Sequence, residues 1–175
     1  MLIALAGLPA TGKSTLAHQL AAALRGVVLD KDQIRAALFP AGEIEYSTTQ
    51  DDFCVDIMYQ VATYMFRRGP KKHVIIDGRT FLKQYQVIDL IDAAWGMGVP
   101  LKIIECVCSD ATAQQRLQQD RTHQRHQAQN RTFELYLRLK ATAEPITVPK
   151  LVINTDSDDV VAYAARALAY VQQDT

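Results

Sequence analysis

Five short strand-like runs punctuate the chain: Leu2–Ala6, Val27–Leu29, His73–Asp77, Leu101–Val107 and Leu151–Asn154. They are apolar over most of their length, as expected of strands buried on both faces. Segments with helical periodicity separate them. In Asp52–Phe66, Cys54, Met58, Val61 and Met65 fall on one stripe with Ile57 and Ala62 beside it, and Gly69-Pro70 breaks the pattern. Leu16–Leu24 is a strong helix former, and further helical patterns cover Lys83–Trp95, Asp110–Gln119, Thr132–Ala143 and Asp158–Gln172. Strands alternating with helices predict an α/β fold with a parallel sheet covered on both faces. No repeat, low-complexity tract or linker interrupts this rhythm, and 175 residues suffice for one good core, so residues 1–175 read as a single domain.

One stretch departs from the pattern. From Asp120 to Arg131 the chain has one alanine and otherwise only polar or charged residues. It reads either as a solvated helix turn or as a lid, about 120–131, that presents arginines to an anion. His123 and His126 have i, i+3 spacing, but no third ligand stands near them, so they do not read as a metal site.

The junction of the first strand with the first helix carries the densest chemistry. Gly7, Leu8, Pro9, Ala10, Thr11, Gly12, Lys13, Ser14 and Thr15 contain the spacing G-x-x-x-x-G-K-[ST]. Backbone N–H groups of such a loop wrap a polyphosphate, the lysine reaches the β- and γ-phosphates, and the first hydroxyl ligates Mg²⁺. Glycines let the backbone approach phosphate and take positive φ. A helix starting at Lys13 adds its positive dipole end. Nucleotide binding, with Ser14 as a metal ligand, is the expectation.

Two further strand ends add acids. Val28-Leu29-Asp30-Lys31-Asp32-Gln33-Ile34-Arg35 follows the second strand. Asp30 and Gln33 have capping-box spacing, and Asp32 and Arg35 share a helix face. The pair is either a surface ion pair of little consequence or a catalytic unit. In the latter, Asp32 accepts a proton from a substrate hydroxyl and Arg35 holds substrate or phosphate. Val74-Ile75-Ile76-Asp77 ends in an acid that either caps the next helix or holds the Mg²⁺ shell, and Arg79 and Thr80 beyond it either face a substrate or solvate a loop.

Charge narrows the partners. Lys+Arg and Asp+Glu both number 19, so no global basic field attracts nucleic acid, which counts against a polynucleotide substrate. Three cysteines fit a reducing, cytoplasmic setting, and Cys106 and Cys108 read as core or strand-end residues. No apolar stretch approaches the length of a membrane span.

GLPATGKST, LDKDQIRAALF, EYS at Glu45–Ser47, VIIDGRTF and the run from Asp110 to Arg121 together resemble the ATP-dependent P-loop kinases akin to phage polynucleotide kinase, zeta toxin, chloramphenicol phosphotransferase and adenylylsulfate kinase. The likeness covers nearly the whole chain. It implies a five-stranded sheet of order 2-3-1-4-5, a lid over ATP, Asp32 as general base and Arg35 as an acceptor-binding group. Such relatives commonly carry R-L-x-x-R before the lid. Here Arg116-Leu117-Gln118-Gln119 runs into Asp120, which leaves Arg116, Arg121 and Arg125 as alternatives for the ATP-binding arginine. The expected activity is transfer of the ATP γ-phosphate, with Mg²⁺, to a hydroxyl of a small molecule. Two alternatives are a 5′-hydroxyl polynucleotide kinase and a non-catalytic ATP-binding switch.

Overall fold

The computed structural model describes residues 1–69, 71–123, 131–157 and 159–173, with only the backbone of 121–123. In chain order the elements are β1 (Leu2–Ala6), α1 (Lys13–Leu24), β2 (Val27–Asp30), α2 (Lys31–Leu38), a 3₁₀ turn (Ala41–Glu43), α3 (Thr48–Arg68), β3 (Val74–Asp77), α4 (Gln84–Met97), β4 (Leu101–Val107), α5 (Asp110–His123), α6 (Phe133–Ala141), β5 (Leu151–Asn154) and α7 (Val160–Gln172). All strand pairings are parallel, in the order β2-β3-β1-β4-β5. This is the α/β P-loop architecture implied by the sequence.

The two-residue period of the strands sorts their side chains into two cores. Leu2, Ala4, Val74, Ile76 and Ile103 face α3 and α4, where Met58, Phe66 and Leu90 meet them. Ile3, Leu5, Ile75, Ile104 and Ile153 face α1 and α7, against Leu16, Leu20 and Tyr163. Every residue of β1 is fully buried, which is why that central strand reads as continuously apolar.

The α3 stripe differs from expectation. Its buried residues are Gln50, Cys54, Val55, Met58, Ala62 and Phe66, while Val61 is exposed. The contact follows the i, i+4 ridge 54-58-62-66, and Val61 sits a helical step of about 100° from Ala62, on the solvent side. Helix α3 also starts earlier than expected, because Ser47 caps it: its Oγ accepts from the Gln50 N–H at 3.2 Å. Cys54 and Cys106 are buried and Cys108 lies just past β4; all three are free thiols, and burial pushes Cys106 up to about 12. Among the described residues no helix is long and apolar enough to cross a membrane.

The carboxyl edge of the sheet gathers the loop after β1, Asp30 and Asp77 at register-paired strand ends, and Thr155 just beyond β5. Ligands of open α/β sheets bind at this edge.

Candidate functional site

The loop between β1 and α1 is shaped by its neighbours as much as by any ligand. Gly7 has φ +127°, and a Cβ there would run into the carbonyl oxygen of Cys106 on β4. Close strand packing therefore demands this glycine, a reason distinct from the approach of phosphate. Gly12, at φ +82°, precedes α1 and offers no side-chain cap. The first N–H groups of α1 thus remain available to an anion. Replacing Gly7 by Ala is expected to cost more than ~2 kcal/mol through backbone strain and the clash. Gly96→Ala, at a helical position open on all sides, is expected to be neutral or stabilising by up to ~1 kcal/mol. Urea unfolding of both variants checks this.

Lys13 folds back over the loop, its Nζ donating to the carbonyls of Gly7 at 2.8 Å and Leu8 at 2.7 Å. Burial pushes its pKa down to about 8, with Asp77 opposing and Arg131 adding to the shift. Asp77 is completely buried, and neither of its carboxylate oxygens has a partner among the described residues. An orphaned buried carboxylate is costly and calls for a cation. It does not cap the next helix, since α4 begins at Gln84 after Lys83. A carboxylate and a hydroxyl such as that of Ser14 are the hard oxygen donors that Mg²⁺ takes.

Asp30 is the cap foreseen for α2. Its Oδ1 accepts from the N–H groups of Asp32 at 2.8 Å and Gln33 at 3.2 Å. Burial, and then Asp77, hold its carboxyl above the usual range. Asp32 and Arg35 form more than a surface pair: Arg35 is 2% exposed, and its Nη1 donates to Asp32 Oδ1 at 2.5 Å. The other terminal nitrogen of Arg35 donates to Asp51 of α3, which also pairs with Lys31 at 2.7 Å. Tyr46, held at φ 52°, lies against the guanidinium with its ring centre 5.1 Å away.

Arg79 does not solvate a loop. It is buried and paired with Asp52 of α3, which also accepts from the Tyr85 hydroxyl at 3.2 Å, so it ties the β3 loop to that helix. Thr80 lines a cavity, and its carbonyl accepts from the Gly7 N–H at 3.0 Å.

The arginines after β4 divide. Arg116 is turned towards the loop and β5, donating to Ala10 O at 3.3 Å and to Thr155 O at 2.6 Å. Arg121 lies in the last turns of α5 with only its backbone described, and Arg125 lies outside the described residues. Arg131, the last residue of the polar stretch, borders the same two cavities as Lys13: it pairs with Asp120 at 3.2 Å, and burial lowers its pKa. The sequence offered one cue to it, its place just before Thr132, which caps α6.

Two cavities meet at these groups. One, of about 200 Å³, lies on the α2–α3 side and is lined by Lys31, Asp32, Arg35, Tyr46 and Asp51. The other, of about 340 Å³, lies on the α5–α7 side and is lined by Gly12, Thr15, Arg116 and Tyr163. Lys13, Ser14 and Arg131 border both. Two compartments sharing one cationic wall can hold two ligands with their reacting ends together.

Known proteins fall in line with this geometry. Residues 2–146 match the family described as AAA domain. No curated protein matches the chain by sequence. Solved structures with the same fold include a candidate kinase from Chloroflexus aurantiacus, at 21% identity and TM-score 0.74, covering 98% of each chain. The Mycobacterium tuberculosis APS kinase CysC, in complex with AMPPNP and APS, has 16% identity and TM-score 0.71 over 98% of this chain and 97% of its own. A gluconokinase from Sinorhizobium meliloti has 16% identity and TM-score 0.69 over 97% and 91%. With its loop, sheet order and family match in agreement, the chain belongs to the AAA domain family of P-loop nucleotide-binding proteins.

Proposed function

We propose that the chain is a phosphotransferase, a single domain over residues 1–175, that moves the γ-phosphate of ATP to a hydroxyl of a small-molecule acceptor in the cytoplasm. The observation that carries this reading is the pair of cavities joined at Lys13, Ser14 and Arg131, with a carboxylate, Asp32, lining only the α2–α3 side. A binding switch has no need of a second compartment with its own carboxylate. The named kinases of the same fold act on small acceptors, which agrees with this assignment.

In this reading ATP lies in the α5–α7 cavity, its phosphates on the amides of the Gly7–Thr15 loop beyond Gly7, whose own N–H is held by Thr80, with Arg116 beside it. Ser14 and Asp77 would hold Mg²⁺, which neutralises charge on the β- and γ-phosphate oxygens. Lys13 leaves the carbonyls of Gly7 and Leu8 to meet the transferring phosphoryl group. The acceptor oxygen bonds to the γ-phosphorus as the bond to the β–γ bridging oxygen breaks, and ADP departs with that electron pair. The acceptor proton passes to Asp32, whose orientation Arg35 sets. Arg131, which borders both cavities, adds its charge on the phosphate side, and Arg121 and Arg125 are the other arginines that the lid reading names.

A screen of ADP release over alcohols, sugars, nucleosides, antibiotics and adenylylsulfate, with the phosphorylated product confirmed by mass, tests the assignment. ATP hydrolysis that no acceptor stimulates would sink it. Arg131→Ala is expected to lower turnover by ~10²-fold while changing ATP affinity much less, because its charge is needed most as the phosphoryl group transfers. Equal losses in both would mean that Arg131 binds the ground state only.

A further inference from the structure

The charges around Arg35 speak to the acceptor itself. A guanidinium that grips a phosphate or carboxylate of a ligand must offer it terminal N–H groups. Here one terminal nitrogen holds Asp32 and the other holds Asp51, the Tyr46 ring covers a face, and Nε, which has no partner among the described residues, is itself buried. Lys31, the second cation of this wall, spends its ammonium on the same Asp51 oxygen at 2.7 Å and lies 3.7 Å from Asp32. Two cations and two carboxylates thus sum to zero, apart from Lys13 and Arg131 on the phosphate side. Asp51 sits in the first turn of α3, where the helix dipole favours a carboxylate, and it is the most exposed member of the four.

We infer that this site takes an uncharged hydroxyl compound, and that Asp51 is the residue that makes it so by masking Arg35 and Lys31. The inference rests on the phosphotransferase reading for what then happens to that hydroxyl. A phosphorylated or carboxylated acceptor would have to expel Asp51 from two cations or lie against two carboxylates, and like charges brought together without solvent are strongly disfavoured. A neutral polyol or alcohol meets no such penalty, since carboxylates accept hydrogen bonds from its hydroxyls. The rest of the wall agrees: Thr48 and Thr80 are polar and Leu135 and Leu139 apolar, around a cavity of about 200 Å³.

The test has two arms. In the first, protein saturated with Mg²⁺ and a non-hydrolysable ATP analogue, so that the phosphate loop is filled, is titrated calorimetrically with inorganic phosphate. The expected result is weak binding to the parent protein, an affinity at least ~10-fold higher in Asp51→Asn, and loss of that gain when Arg35→Gln is added. Equal phosphate affinity in parent and Asp51→Asn overturns the masking role. Asp51→Glu, which keeps the charge, is expected to behave as the parent; phosphate binding by it as tight as by Asp51→Asn also overturns that role.

In the second arm, kcat/KM for ADP release is compared within matched pairs, each an alcohol or sugar and its phosphorylated or carboxylated counterpart. The parent is expected to favour the uncharged member, and Asp51→Asn to shift the ratio by ~10-fold or more towards the charged one. A parent enzyme that prefers the charged member overturns the inference while the phosphotransferase reading stands, and it does so even if no Asp51 variant folds. If no member of any pair stimulates ADP release, the phosphotransferase reading falls, and the phosphate titration alone decides the masking role.

Discussion

Lys13→Ala is expected to abolish phosphoryl transfer, by ~10³-fold or more, in a protein that remains folded. The side chain packs over its own loop and, among the described residues, bonds to the carbonyls of Gly7 and Leu8, so its loss removes little from either core. Two other cations stand nearby, Lys31 paired with Asp51 at 2.7 Å and Arg131 with Asp120 at 3.2 Å, but neither is folded over the loop carbonyls as Lys13 is. The buried ammonium also makes a second, independent readout. Its pKa is lowered to about 8, with desolvation the main cause and Asp77, Arg131, Cys106 and Lys31 the groups that face it. Between that value and the ordinary lysine range the unfolded chain binds the proton that the folded, nucleotide-free protein has lost. Lys13 therefore makes stability rise with pH across this window, and below it the full cost of burying the charge is present. A polyphosphate restores the proton. ATP binding at about pH 9 is thus expected to take up protons in the parent, measured by calorimetry in buffers of different ionisation enthalpy. Lys13→Ala removes that uptake. Normal turnover in a folded Lys13→Ala protein would end the proposed function.

The second large effect separates two aspartates two residues apart. Asp32→Asn keeps the shape of the side chain and removes its basicity. It is expected to cut transfer to the acceptor by roughly 10²–10⁴-fold with ATP affinity near normal. The substitution is a clean one, because Arg35 keeps its second carboxylate, Asp51, and so stays in place. Asp30→Asn, by contrast, retains an oxygen to accept from the N–H groups of Asp32 and Gln33, and it removes repulsion from Asp77. Its stability is expected to stay within ~0.5 kcal/mol of the parent. Titration of ATP binding beside single-turnover transfer for both variants gives the answer. Parent-rate transfer by Asp32→Asn, with Asp30→Asn inactive, would move the base to Asp30.

Much of this site was legible along the chain because its geometry is local. The turn from β1 into α1, the cap made by Asp30 and the Asp32–Arg35 pair each span a few residues, so spacing alone predicts them. The strand runs were legible for a related reason: a strand buried on both faces must be apolar throughout, as β1 is. Other features depend on residues far apart in sequence and leave no periodic trace. Gly7 is required by the Cys106 carbonyl on β4, Arg116 is spent on Thr155, and Arg79 is buried against Asp52. Asp51 lies just outside the Asp52–Phe66 helical pattern, yet packing α3 beside α2 sets it on Arg35 and Lys31. Arg131 was one arginine among several in a polar stretch, and the cap at Thr132 and the docking of α6 bring it to Lys13. The chain by itself determined which strand ends carry the phosphate loop and the acids, because local sterics and burial dictate those elements. Only the tertiary structure decided which cations stay available to a ligand, because charges neutralise one another through space, and distance in space is set by packing.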